Sequence, residues 1–283
     1  MTNETNEIDD TAGPVLVTAG TGKTGHRLVE RLERRGVPVR VGSRRGTPPF
    51  DWYDEATWGP ALAGASAAYL AFTPDIGFPG ASGIIGAFAR QARSQGVHRL
   101  VLLSGRGEEE AEAGERALQA SGADWTILRA SWFAQNFSEH FLLGPVLDGV
   151  VALPAGDVAE PFVDVEDIAD AALAALTEDG HVGRLYEMTG PRLLTFAEAV
   201  RLVAEAAGRE VTYVPCTPEE YAAGAVAAGV PEEEAGPLSE VFRRVLDGRN
   251  EHLGDGVERA LGRPARDFAD YVRTAAATGV WKG

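Results

Sequence analysis

Val15-Leu16-Val17-Thr18-Ala19-Gly20-Thr21-Gly22-Lys23-Thr24-Gly25 is the stretch whose reading decides the fold. The aliphatic, β-branched run Val15 to Val17 suits a buried parallel strand. A glycine-rich turn follows from Ala19 to Gly25, and then Leu28, Val29 and Leu32 recur on one face of a helix. Gly20, Gly22 and Gly25 match G-x-G-x-x-G, with Thr21, Lys23 and Thr24 between them. Between strand and helix, such glycines let the backbone turn tightly and approach a pyrophosphate, and the helix N-terminus offers unpaired N–H groups to the anion. The alternative is a turn that merely joins strand to helix. A P-loop is excluded: it needs a glycine five positions before Gly22, where Val17 sits inside the strand.

The same rhythm continues outward. Gly36 ends the first helix and Val37 to Val41 reads as the next strand. Ala67 to Phe72, Leu100 to Leu103 and Trp125 to Leu128 are strand-like, and Ile84 to Ser94 and Glu108 to Gln119 are helical. Strands alternating with helices across short connections imply an α/β fold, a Rossmann-type, doubly wound parallel sheet covered on both faces. Later in the chain, Asp164 to Leu176 predicts a helix with Asp164 as N-cap and Asp167 in its first turn. Thr195 with Glu198, and Thr217 with Glu220, form capping boxes that start helices. Val211 to Val214 reads as a strand and Phe268 to Ala276 as a closing helix. The expected organisation is a disordered tail over 1–12, an NAD(P)-binding Rossmann domain over 13–190, and a smaller, mostly helical substrate or lid lobe over 191–283. Gly224 to Pro237, rich in Gly, Ala, Pro and Glu, is the candidate mobile lid.

Composition narrows the function classes. With 283 residues, 45% hydrophobic and 24% charged, the chain has ample material for a packed core. Its formal net charge of −16 repels polyphosphate backbones, so neither nucleic acid nor an anionic membrane is an expected partner. Cys216 is the only cysteine, which leaves no intrachain disulfide and no cysteine metal cage. His26, His98, His140, His181 and His252 are scattered without ligand spacing, so no metal is expected. The polar, acidic stretch Met1 to Ala12 is the opposite of a signal peptide, and no apolar run approaches the roughly 20 residues that span a bilayer. A cytoplasmic protein acting on a small molecule, as monomer or homodimer, is the expectation.

The end of the second strand selects the cofactor. NAD-binding chains usually carry an acid there to accept from the ribose hydroxyls; here the run is Gly42-Ser43-Arg44-Arg45. A hydroxyl and two guanidinium groups suit a 2′-phosphate, which favours NADPH over NADH. The plain alternative is a pair of solvated surface arginines.

Several stretches, spread from Val15 to Gly190, now point to one family: Val15 to Gly25, Arg40 to Arg44, Trp125-Thr126-Ile127-Leu128-Arg129, Asn136-Phe137, Pro161 to Ala169 and Tyr186-Glu187-Met188-Thr189-Gly190. Together they resemble the NmrA-like branch of the atypical short-chain dehydrogenases. Thr195-Phe196-Ala197-Glu198 and Leu261-Gly262-Arg263-Pro264 extend the resemblance towards the C-terminus. Within the branch the chain looks most like the ergot-alkaloid (festuclavine-type) dehydrogenases and their bacterial relatives. The resemblance implies a Rossmann fold, NADP(H) binding and either hydride transfer or redox sensing, with biosynthesis of a specialised metabolite as one setting. One departure is visible. The family's G-x-x-G-x-x-G places its first glycine where this chain has Ala19.

Short-chain dehydrogenases at large use Tyr-x-x-x-Lys to protonate an alkoxide. The only lysines here, Lys23 and Lys282, do not lie four residues after a tyrosine, and no tyrosine occurs between Tyr69 and Tyr186. Ser104 occupies the place of that family's catalytic serine, and its bland alternative is a turn residue before Gly105. Reducing a ketone makes an alkoxide, for which a positioned acid is worth about two to four powers of ten. An iminium needs only hydride, and a quinone accepts hydride readily, so a pre-activated electrophile (iminium, quinone or enone) is favoured over a simple ketone. Its pocket is expected at the carboxyl edge of the sheet. Phe72-Thr73-Pro74 should touch cofactor there; Trp132, Phe133, Gln135, Asn136, Phe137, Phe141 and the lid residue Tyr221 are the substrate-pocket candidates. His140 is the candidate acid, against a plain surface histidine. The run Glu108-Glu109-Glu110 with Glu112 reads as a solvated helix start or as a carboxylate orienting a cationic substrate, and Glu232-Glu233-Glu234 as solubility or a helix start. A non-catalytic NADP(H) sensor that binds a partner protein, and a redox-neutral enzyme on the same scaffold, stand as alternatives.

Overall fold

Hydrophobic side chains alternate along β1 (Val15–Thr18), with Leu16 on one side and Val15 and Val17 on the other, because successive strand residues face opposite sides of a sheet. A strand buried on both faces needs a layer of helices over each. The computed structural model describes residues 13–227 and 229–282; the tail expected over 1–12, Ala228 within the expected lid, and Gly283 lie outside these. After β1 come α1 (Lys23–Arg34), β2 (Val39–Gly42), α2 (Trp58–Leu62), β3 (Ala67–Leu70), α3 (Ala81–Ser94), β4 (Arg99–Gly105), α4 (Glu109–Ala120) and β5 (Asp124–Ala130). The chain continues through α5 (Asn136–Glu139), α6 (Leu143–Asp148), β6 (Val150–Leu153), β7 (Ala159–Glu160), α7 (Val165–Thr177), β8 (Arg184–Met188) and β9 (Leu194–Thr195). It closes with α8 (Phe196–Ala207), β10 (Thr212–Pro215), α9 (Pro218–Ala227), α10 (Glu232–Val245), α11 (Gly256–Leu261) and α12 (Phe268–Thr278). No helix of the described residues is long and apolar enough to cross a membrane.

Six strands form one parallel sheet in the order β2-β1-β3-β4-β5-β8. The chain winds from β1 to β2, then crosses back to β3 on the other side of β1, so the switch in direction lies between β1 and β3. On one face Leu16, Leu70 and Leu102 pack against Trp58, Ile85, Phe88 and Leu118 of α2, α3 and α4. On the other face Val15, Val17, Tyr69 and Leu128 meet Leu28 and Leu32 of α1, Ile168 and Leu176 of α7 and Val257 of α11. This is the expected doubly wound arrangement. β8, which sequence reading did not place as a strand, closes the β5 edge.

A third apolar cluster lies past the carboxyl edge of the sheet. It joins Phe137, Val151, Leu153 and Phe162 to Phe196, Val200, Phe242, Phe268 and Trp281. Two small sheets hold it: β6 pairs in parallel with β10, and β7 antiparallel with β9. The lobe therefore draws on chain from both sides of residue 190. The expected caps are in place. Asp164 accepts from the Glu166 N–H, Thr195 and Glu198 form a reciprocal capping box, and Thr217 and Glu220 bond in the same way. Gly224 to Pro237 covers the end of α9 and the first turns of α10.

Charge fastens the later segments to the sheet layer. Arg27 and Arg31 of α1 reach Glu166 at 2.6 and 2.5 Å, and Arg31 also reaches Asp170 at 2.7 Å, which clamps α1 to α7. Asp167 is fully buried, accepts the Arg266 backbone N–H at 2.8 Å and pairs with the guanidinium groups of Arg263 and Arg266. The two arginines are partly exposed, so water shares the burden when the acid is removed. Asp167→Ala is expected to lower the free energy of unfolding by about 2 kcal/mol, below the full penalty for breaking a buried pair. An unchanged urea midpoint would contradict this account of the clamp.

Candidate active site

The site begins at the switch point. Thr18, the last residue of β1, is buried; its hydroxyl accepts from the Ala71 N–H at 2.8 Å and donates to the Tyr69 carbonyl at 3.0 Å. Tyr69 in turn donates to the Thr24 hydroxyl at 3.0 Å, so β3 supports the first turn of α1 from beneath. Ala19 turns the chain at φ 50°, the only positive-φ residue other than glycine among those described. A Cβ on Gly25 would lie 2.2 Å from the Ala19 carbonyl oxygen, and one on Gly20 would lie 2.8 Å from Val41 Cγ1. These two glycines are therefore required by close packing. Gly22 is the N-cap of α1, with no side chain capping it and no acid in the first turn. The free N–H groups and the positive end of the helix dipole are left available to an anion. Ser43, Arg44 and Arg45 follow β2 at the same edge, and the two arginines are exposed with no ion pair to a described residue. The free N–H groups of the turn have the donor chemistry that a dinucleotide's diphosphate would need.

Against the turn lies a cleft of about 390 Å³. Gly22, Lys23 and Thr24 form one wall, Phe72, Thr73 and Pro74 another, and Ser104 part of the floor. Trp132, Phe133, Asn136 and Phe141, read from the sequence as pocket candidates, and His140, the candidate acid, also line the cleft. Gly20, Thr21 and Gly25 shape the turn without lining the cleft, and Ser43, Arg44 and Arg45 lie outside it. Three expected pocket residues are directed elsewhere. Gln135 is buried against α7, donating to Asp164 at 2.6 Å and accepting from the Val165 N–H at 2.9 Å, and it borders a separate cavity. Phe137 is fully buried between Phe162 and Phe268 in the third cluster. Tyr221 packs edge-on behind Phe242, which itself lines the cleft. On a short helix, neighbouring residues face different ways, so Asn136 reaches the cleft and Phe137 the core.

The polar groups divide by protonation. The Ser104 hydroxyl donates to Glu115 at 2.6 Å, and Glu115 is held by Arg129, so the serine proton points away from the cleft. His140 is pushed below the ordinary imidazole range by partial desolvation and then by Lys23, so at neutral pH it is not a charged acid. Lys23 donates to Asn136 at 3.0 Å; its pKa falls to about 8, chiefly through burial. Sequence reading missed three further polar side chains here, Asp75, Arg106 and Glu160, beside Glu108 of the acidic run. Glu108 occupies space left by glycines, since a Cβ on Gly77 would lie 1.9 Å from one carboxyl oxygen and one on Gly105 2.2 Å from the other. Burial first, then Asp75, raises Glu108 to about 8, so the two carboxyls share a proton at neutral pH. Ser104 and the run from Glu108 to Glu110 were visible signals for this floor; nothing in the sequence marked Glu160.

No protein-family model matches the chain. It is similar to agroclavine dehydrogenase of Claviceps fusiformis, 32% identical over 91% of this chain and 96% of that one. It is also 31% identical, over the same shares, to the (4-alkanoyl-5-oxo-2,5-dihydrofuran-3-yl)methyl phosphate reductase of Streptomyces griseus. The fold is that of the NADPH-dependent quinone oxidoreductase QOR2 of Escherichia coli, solved with NADPH, at a TM-score of 0.77, 22% identity, 92% of this chain and 99% of that one.

A left-handed alanine costs about 1 kcal/mol that glycine does not. Ala19→Gly should therefore raise the urea-unfolding free energy by about that amount, less the entropy glycine adds to the unfolded chain. A destabilised Ala19→Gly protein would contradict the strain assigned to this turn.

Proposed function

Since the chain belongs to the NmrA-like branch of the atypical short-chain dehydrogenases, a family of NAD(P)H-dependent oxidoreductases, we propose that it is an NADPH-dependent reductase of an activated small-molecule electrophile. The observation that carries this reading is the uncapped start of α1 opening onto a cleft walled by Trp132, Phe133, Phe141 and Phe242. The turn from Gly20 to Gly25 would hold the diphosphate, and Ser43, Arg44 and Arg45 the 2′-phosphate. NADPH supplies a hydride when bound.

The chain's own part is to bind, orient and exclude water. Aromatic walls desolvate a flat acceptor, and proximity then does most of the catalytic work. No tyrosine lines the cleft among the described residues, the Ser104 proton is turned inward and His140 is held neutral. An unactivated ketone gives an alkoxide far more basic than an enolate or a hydroquinone anion, and without the tyrosine–lysine pair that serves it in other short-chain dehydrogenases it is a poor substrate. Iminium ions, quinones and enones carry their own activation. Both named relatives of this chain, a dehydrogenase of a clavine and a reductase of an unsaturated furanone phosphate, support such a substrate range.

The test is NADPH consumption by the pure protein with a cyclic iminium, a quinone, an enone and an unactivated ketone. Turnover with an activated acceptor and none with the ketone is expected; binding of NADPH without turnover of any acceptor would contradict the reading. Replacing both Arg44 and Arg45 by Ser should raise KM for NADPH about tenfold while leaving that for NADH nearly unchanged, as loss of charge-assisted phosphate bonds requires. An equal effect on both cofactors would remove the arginines from the 2′-phosphate site.

A further inference from the structure

Glu160 and Arg106 share the floor of the cleft and neither is satisfied there. Glu160, on β7, is 0% exposed, and neither carboxyl oxygen has a hydrogen-bond partner. Arg106, just past β4, is 5% exposed; its Nη1 donates to the Asn250 carbonyl at 3.0 Å, while Nε and Nη2 donate to nothing. The two do not form an ion pair with each other. The carboxylate nearest to Arg106 is Glu187, 3.6 Å from Nη2 and beyond hydrogen-bond reach. Buried polar groups without partners are rare and costly; Glu108 Oε2, beside Asp75, is a third in this cleft, and the fully unpartnered acid together with the arginine implies a ligand that completes both.

We propose that Glu160 is the proton donor of the reduction and that Arg106 receives the oxygen on which charge develops, so that the substrate is a conjugated carbonyl, a quinone or an enone. This assignment rests on the reductase reading above and sharpens it. A carboxyl group sealed from water with no partner is neutral, because desolvation disfavours the charged form. Burial raises Glu160 to about 8; Arg106 opposes the rise and Glu251, which accepts the Ala159 N–H, adds to it. Behind Arg106 stand Glu187, Arg129 and His252, and across the cleft Lys23, His140 and the proton-sharing pair Asp75 and Glu108. A neutral carboxylic acid offers an O–H donor, and an arginine offers donors alone. Two donors beside the same cleft suit one oxygen that gains negative charge, as donors that stabilise enolates and other oxyanions do. A cationic iminium at that position would be repelled by Arg106, which separates the open substrate classes.

The step balances. The acceptor takes a hydride, with its two electrons, from NADPH, which becomes NADP⁺. Charge moves through the conjugated system onto the carbonyl oxygen beside Arg106. The O–H bond of Glu160 breaks, its proton goes to that oxygen, and the resulting carboxylate recovers a proton from water before the next turnover.

Glu160→Gln keeps the shape and a donor but has no proton to give. With a quinone or enone, kcat should fall by about two to four powers of ten, with the NADPH Kd within about twofold of wild type as the check on folding. In the wild type kcat should fall as pH rises through about 8, since the protonated form is the active one, and the variant should lack that limb. Infrared spectra should show a buried carboxylic-acid carbonyl band at neutral pH that disappears in Glu160→Gln, a readout independent of turnover. An undiminished kcat in the variant, a wild-type rate flat through that pH range, or no change in the carbonyl band would overturn the assignment alone. Silence of the wild type with every acceptor would overturn the reductase reading and this assignment together.

Discussion

A parallel sheet sends the carboxyl end of every strand to the same edge, and the chemistry of this protein depends on that constraint. Thr18, Gly42, Leu70, Gly105 and Ala130 are the last residues of five strands, and within a few positions of each lies a side chain or turn assigned to the site. The Thr18 hydroxyl fixes the first of these ends against the third through Tyr69 and Ala71. Parallel pairing also forces crossovers, and the crossovers after β5 are long enough to build the aromatic lobe that closes the cleft.

The cleft holds its acids in the neutral or half-neutral state by exclusion of water. Glu108 is enclosed by two glycines and shares a proton with Asp75; Glu160 is enclosed by the floor itself. Formal net charge is therefore a poor guide to this site. The chain carries −16 overall, yet the floor facing the aromatic wall presents an arginine and protonated carboxyls.

Features set by neighbours in sequence were legible before the structure. The glycine turn, the Asp164 cap and the Thr195 and Thr217 boxes are local, and each forms as the residue pattern requires. That the sheet is parallel and doubly wound followed from the alternation of strand and helix. What was illegible came from tertiary position. Gln135 and Phe137 differ from Asn136 by one step, and only the packing of α5 decides which of the three meets the cleft. The strand Arg184–Met188 is paired on one side only, and its charged residues weaken the apolar signal of a buried strand. Glu160 is one acid among many in the sequence. Its role is created by burial against β9 and the approach of Arg106 from a distant strand.

The central claim is direct hydride transfer to a bound acceptor in a cleft without a catalytic tyrosine. Its most direct test uses NADPH deuterated at the transferring C4 position and a cyclic enone, with the product read by mass spectrometry and NMR. The account predicts one deuterium on the β-carbon of the product and a hydrogen from solvent at the protonated site. A product without the label, or NADPH bound and never consumed, would contradict it.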